Sequence, residues 1–127
     1  MKLTITKIMV IALIGFFSQF SMADNASSAT EIAGIVVAMN HFASDADKAK
    51  LMAISADESL AGPVREMATA VANISHAATA EGKAAMAAIV AGDAPDRAKV
   101  LAGVIAGFNH MASADDKARI TELYALE

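Results

Sequence analysis

The stretch Asn40–Leu51, NHFASDADKAKL, returns almost unchanged at Asn109–Ile120 as NHMASADDKARI. A more divergent third copy lies between them at Ser75–Met86, SHAATAEGKAAM. The copies are offset by 35 and then 34 residues. A period of this length is typical of stacked helical hairpins. The pattern therefore predicts an all-α protein, with three tandem hairpins forming a small α-solenoid-like bundle.

Apolar residues recur at the i, i+3, i+4, i+7 spacing of a helix just before each copy, which we call the three stripes. This spacing places the apolar side chains on one face of each helix. Because the stripes occur in register, we expect them to form one continuous core. They are Ile32, Ile35, Val36 and Met39, then Met67, Ala70, Val71 and Ile74, then Leu101, Val104, Ile105 and Phe108.

Each unit reads as two helices joined by a short corner. The first helix is expected to end near Asn-His or Ser-His, with the histidine in its last turn or C-cap. Asn40 and Asn109 can adopt the left-handed backbone that ends many helices. A hydroxyl then stands where the N-cap of the second helix belongs. These predicted structural caps are Ser44, Thr79 and Ser113.

The beginning of the chain resembles a secretory signal peptide. Lys2 and Lys7 form a basic region, residues 8–17 are apolar, and small residues at Ser21 and Ala23 suit signal peptidase. We therefore predict an exported protein, periplasmic or secreted, cleaved after Ala23. The apolar run falls short of the ~20 residues that span a bilayer.

The remaining chain suggests one small helical-repeat domain. The predicted organisation is a signal peptide (1–23), a flexible segment (24–30) and a repeat domain (31–127), with units at 31–58, 62–92 and 95–127. Loss of Lys2 and Lys7 leaves 8 of the 10 basic residues against 14 acidic ones, a net charge of −6. An acidic surface without a basic cluster argues against nucleic acid and anionic lipid as partners.

Two families of α-helical repeats share features with the chain. The period is similar to that of tetratricopeptide repeats, although their Trp, Gly and Tyr positions are not matched. The stretch GPVREMATAVANI, from Gly62, resembles the second helix of a HEAT-type repeat at Pro63, Val64, Arg65, Ala68 and Ile74. The resemblance implies a HEAT-like shape and no particular partner.

All three histidines of the chain, His41, His76 and His110, occupy one position of the repeat. One interpretation is structural, because imidazole can bond the free carbonyls at a helix end. The alternative is a metal site, with Met39, Met86 or Met111 adding sulfur for copper. An open solenoid would hold equivalent atoms ~10 Å apart, too far for one ion. Only a closed arrangement of the hairpins would bring the histidines together.

The residues favour a non-catalytic protein. There is no nucleophile motif, no glycine-rich phosphate loop and no cysteine. We therefore predict no enzyme activity and no cofactor. The expected role is a structural or interaction module that binds a protein or peptide or assembles with itself, away from membranes once the signal is removed. The alternative is a periplasmic metal-binding protein that uses the repeated histidines.

Overall fold

The computed structural model describes residues 24–126, which form an all-α protein with six helices and no sheet. The predicted signal peptide lies outside these residues. None of the helices described is long and apolar enough to cross a membrane. The helices are α1 (residues 24–38), α2 (Asp45–Ala56), α3 (Gly62–Ala72), α4 (Ala80–Ala91), α5 (Asp96–Ala106) and α6 (Ala114–Leu123).

Helices that follow one another along the chain pack together, from α2 to α6, and α3 also contacts α5. The first helices of the three hairpins, α1, α3 and α5, start at the same end of the molecule. There the side-chain oxygen of Asn25 accepts a hydrogen bond of 2.8 Å from the Ala61 N–H. A cavity of about 270 Å³ is lined there by residues that include Ala26, Ala61 and Pro95. The three helices therefore run in one direction, toward the corners that carry the histidines.

The core consists of the predicted stripes. All twelve stripe residues are buried and belong to a single hydrophobic cluster, and no polar side chain is buried among the described residues. Leu51, Met86 and Ile120 add apolar groups from the second helices. Because alanine buries little area, close approach of the helices has to supply much of the packing.

Side-chain hydroxyls open the second helix of each hairpin. They accept backbone hydrogen bonds from the third residue of each helix, satisfying N–H groups that have no partner within the helix. The bonds are Asp47 to Ser44 at 3.1 Å, Gly82 to Thr79 at 3.0 Å and Asp116 to Ser113 at 3.1 Å. Pro63 lies in the first turn of α3, and Pro95 is the N-cap residue of α5.

We expected residues 24–30 to form a flexible segment, but they belong to helix α1. Ala29 is buried in the core, and the Thr30 hydroxyl donates to the Ala26 carbonyl at 2.9 Å. Together with the bond from Ala61 to Asn25, these contacts attach the segment to the domain. Its polar composition had suggested a tail, but one buried alanine and one amide contact hold it in place.

Candidate metal centre

Three similar turns connect the helices within each hairpin, and we call them the His corners: residues 39–44, 74–79 and 108–113. Each is held on both sides by buried apolar residues, two positions before and two positions after the histidine. Those before are Met39, Ile74 and Phe108, and those after are Ala43, Ala78 and Ala112. The polar residues between these anchors, including the histidine, are left at the surface.

The histidines themselves adopt the left-handed backbone conformation, with φ of 65° at His41, 70° at His76 and 66° at His110. The expectation that Asn40 and Asn109 would take this conformation is therefore wrong. So is the placement of the histidines in a last turn or C-cap, because the C-caps of α3 and α5 are Asn73 and Gly107. Residues other than glycine are uncommon at positive φ. Strain of this kind often accompanies function.

Backbone hydrogen bonds join the three histidines in a closed ring. The N–H of His41 donates to the carbonyl of His110 at 2.5 Å, that of His76 to His41 at 2.7 Å, and that of His110 to His76 at 2.5 Å. Each histidine thus satisfies its backbone with another histidine instead of with a helix end. The ring links the first corner to the third, so the hairpins close on themselves at this end.

The imidazoles converge as a result, and we call them the His triad. The ring centroid of His41 lies 4.9 Å from that of His76 and 5.1 Å from that of His110. In both pairs the rings are nearly edge to face. The His76 and His110 centroids are also 5.1 Å apart. One ring nitrogen from each residue lies within 4.8 Å of the other two. The argument that these atoms would be ~10 Å apart held for an open solenoid, and it fails for this closed arrangement.

The ring centroids of the triad have the spacing of a tris-imidazole metal site. With zinc–nitrogen bonds of about 2.0–2.1 Å and tetrahedral angles, the nitrogens lie about 3.4 Å apart and the ring centroids about 5.2 Å apart. The observed centroid separations of 4.9 and 5.1 Å are close to this value. The nitrogens would need to approach by at most about 1.4 Å, which torsions of about 10–20° within ordinary rotamer wells supply.

A second polar group orients one member of the triad. Nδ1 of His110 lies 2.7 Å from the side-chain oxygen of Asn109. With Nδ1 as the donor to this oxygen, the lone pair of Nε2 is free to bind a metal. Asn40 occupies the same place beside His41, whereas Ser75 precedes His76. Asn109 was not identified as a site residue from the sequence, although an asparagine beside a repeated histidine is a usable signal.

The surroundings of the triad supply few other ligands. Among the described residues, the possible ligand groups that converge there are the three histidines alone, without a carboxylate. Met39 and Met86, considered above as sulfur ligands, are buried in the core, whereas Met111 is 45% exposed. Phe42 is 56% exposed, and Nζ of Lys48 lies 5.7 Å from its ring centroid. The triad is therefore a three-nitrogen site at the surface of the protein.

Comparison of the chain with protein-family models, curated proteins and solved structures finds no match. The assignment of the site consequently depends on its own geometry and chemistry. Three imidazoles at this spacing suit Zn²⁺, Cu²⁺ or Ni²⁺, for which neutral imidazole is a common ligand.

Proposed function

We propose that this protein is an exported, non-catalytic metal-binding protein whose His triad holds one Zn²⁺ or Cu²⁺ ion. The observation that carries the proposal is the convergence of one ring nitrogen from each of the three histidines within 4.8 Å. The left-handed backbone of all three residues adds support. Glycine would fit that backbone with less strain, so the presence of histidine at each position needs a reason in its side chain.

We further propose that the six helices are three copies of one hairpin, arranged as a closed version of a solenoid-like repeat. The recurrence of the capping hydroxyls, the buried anchors and the positive φ at matching positions supports this reading. Each hairpin supplies one ligand, so an ion would connect all three units. A chain without cysteine has no disulfide to do so.

The test is metal-dependent thermal stability. Protein without an affinity tag would be isolated from cells that express the full chain, stripped with a chelator and titrated with Zn²⁺, Cu²⁺ or Ni²⁺. At a free concentration of 100 Kd, binding to the folded state adds about 2.7 kcal/mol. For a domain of this size, that raises Tm by roughly 10–20 °C. Calorimetry should give one ion per chain.

The matched control keeps the corners and the triad but changes neighbouring side chains. A Phe42→Leu, Met111→Leu variant should retain the metal-induced shift, whereas a variant with alanine at all three histidines should lose it. Equal shifts in the parent and the triple alanine variant would assign the effect to surface carboxylates and refute the proposal. Binding should weaken as pH falls, because a protonated imidazole cannot ligate.

A second candidate function is that of an interaction module. Exposed apolar side chains on helices α2 and α4 favour it. Met52 on α2 is 61% exposed and Val90 on α4 is 44% exposed. We propose self-association through these side chains as the simplest form of this role. Sedimentation of the metal-free protein over a range of concentrations tests it. A Met52→Ser, Val90→Ser variant should remain monomeric at concentrations where the parent dimerises, and a monomeric parent would refute self-association.

A further inference from the structure

The His triad supplies three ligands, and the described part of the chain brings no fourth ligand of the histidine or carboxylate type to it. Structural zinc sites are almost always closed by four protein ligands, whereas sites with three keep a position for an external ligand. The triad faces solvent, with His76 and His110 exposed. An ion bound there would thus remain accessible from outside the protein.

The charge of such a centre favours an anion at the open position. Three imidazoles that ligate are neutral, so they leave the two positive charges of the ion uncompensated. Nζ of Lys48 lies 5.7 Å from the centroid of the Phe42 ring, next to His41 in sequence, and the first turn of the same helix carries Asp45 and Asp47. An anionic oxygen donor would lower the net charge of the centre and complete its coordination.

In two of the three corners an exposed apolar residue follows the histidine. Phe42 directly follows His41 and Met111 directly follows His110, and both side chains are largely exposed. Most of the large apolar residues described here are buried instead. An exposed aromatic ring next to a polar site would gain from contact with an apolar part of a ligand.

From these three features we infer that the metal-loaded triad binds a carboxylate that carries an apolar group. The carboxylate takes the open position on the ion, and the apolar group lies against Phe42 and Met111. This inference rests on the proposed metal site. It makes the protein a binder of small organic acids rather than a store for the metal alone.

The experiment uses Co²⁺ in place of the native ion, because its visible absorption reports coordination. The first step measures Co²⁺ binding to the chelator-treated protein, and absence of binding would refute the metal site itself. The second step titrates the 1:1 Co²⁺ protein with acetate and with benzoate. We expect a saturable spectral change with both, and binding of benzoate tighter on the order of 5-fold because part of its ring leaves water.

Two variants separate the parts of the inference. Phe42→Ala should bind Co²⁺ and acetate as the parent does but lose the preference for benzoate. Met111→Leu keeps the apolar volume and removes the sulfur, so an unchanged response to acetate shows that a thioether does not close the site. A Co²⁺ protein whose spectrum ignores both acids would overturn the inference while leaving the metal site intact. A stoichiometry of one ion per two chains would also overturn the inference, because histidines of a second copy would then complete the coordination.

Discussion

The left-handed backbone at His76 offers a test of whether this position exists for its side chain. The residue has φ of 70° and is exposed, so a substitution there changes few packing contacts. We compare His76→Gly with His76→Ala, since both remove the imidazole and differ mainly in the backbone. The difference between the two variants then combines the strain of holding a Cβ at positive φ with the greater entropy of glycine in the unfolded chain.

The magnitude follows from two opposing effects. A left-handed conformation costs an L-residue roughly 1–2 kcal/mol that glycine avoids. Glycine in turn lowers the free energy of unfolding by about 0.4–1 kcal/mol, because it gives the unfolded chain more conformational entropy than alanine does. The glycine variant should therefore be the more stable by about 0.5–1 kcal/mol. For a small domain this corresponds to a Tm higher by about 2–8 °C.

The assay is thermal melting in the presence of a chelator, so that metal binding does not contribute. Ala53→Gly is the control, because Ala53 is exposed within helix α2 and glycine there should lower stability by roughly 1 kcal/mol. Neither His76 variant should show the metal-induced rise of the parent. A glycine variant that melts at or below the alanine variant would refute the left-handed strain at His76.

Three further predictions concern the core, the caps and the triad. Phe108 is 2% exposed, so Phe108→Ala should cost about 3–5 kcal/mol in chemical unfolding, and a loss below 1 kcal/mol would place it outside the core. Ser44→Ala removes the acceptor for the Asp47 N–H and should lower the free energy of unfolding by about 1 kcal/mol. The control is Ser27→Ala, in the first described turns of α1, which should change stability little. Asn109→Ala should weaken metal affinity by roughly 10-fold in calorimetry at unchanged stoichiometry, and an unaltered affinity would remove Asn109 from the site.

Much of the fold could be predicted because it depends on local patterns. The spacing of Leu101, Val104, Ile105 and Phe108 identifies a helix face without any knowledge of its neighbours, and all four residues are buried. The hydroxyls of Ser44, Thr79 and Ser113 act within their own turns, so their positions also follow from the sequence. Both signals are confined to a few consecutive residues.

The contact between the first and third His corners could not be predicted in this way. A period of 34 or 35 residues is compatible with an open stack and with a closed ring, because both bury the same helix faces. The choice depends on contacts between residues far apart in sequence, such as the bond from the His41 N–H to the His110 carbonyl. Alanine-rich helices let the hairpins approach closely, but composition alone does not set the angle between them.

The same contacts explain why the convergence of the three histidines could not be predicted from the sequence. Each imidazole taken separately resembles a residue at a helix end, and only the ring of backbone bonds brings His41, His76 and His110 to within 4.8 Å. All three residues of that ring have positive φ, where glycine or asparagine would be less strained. The fold thus satisfies the backbone of the corners without using any imidazole, which leaves three side chains available for an ion. The ring contact observed for His110 is with the side chain of Asn109 and not with a helix carbonyl. Metal ligation, as proposed above, would give the converging rings and the contact of His110 with Asn109 a common role.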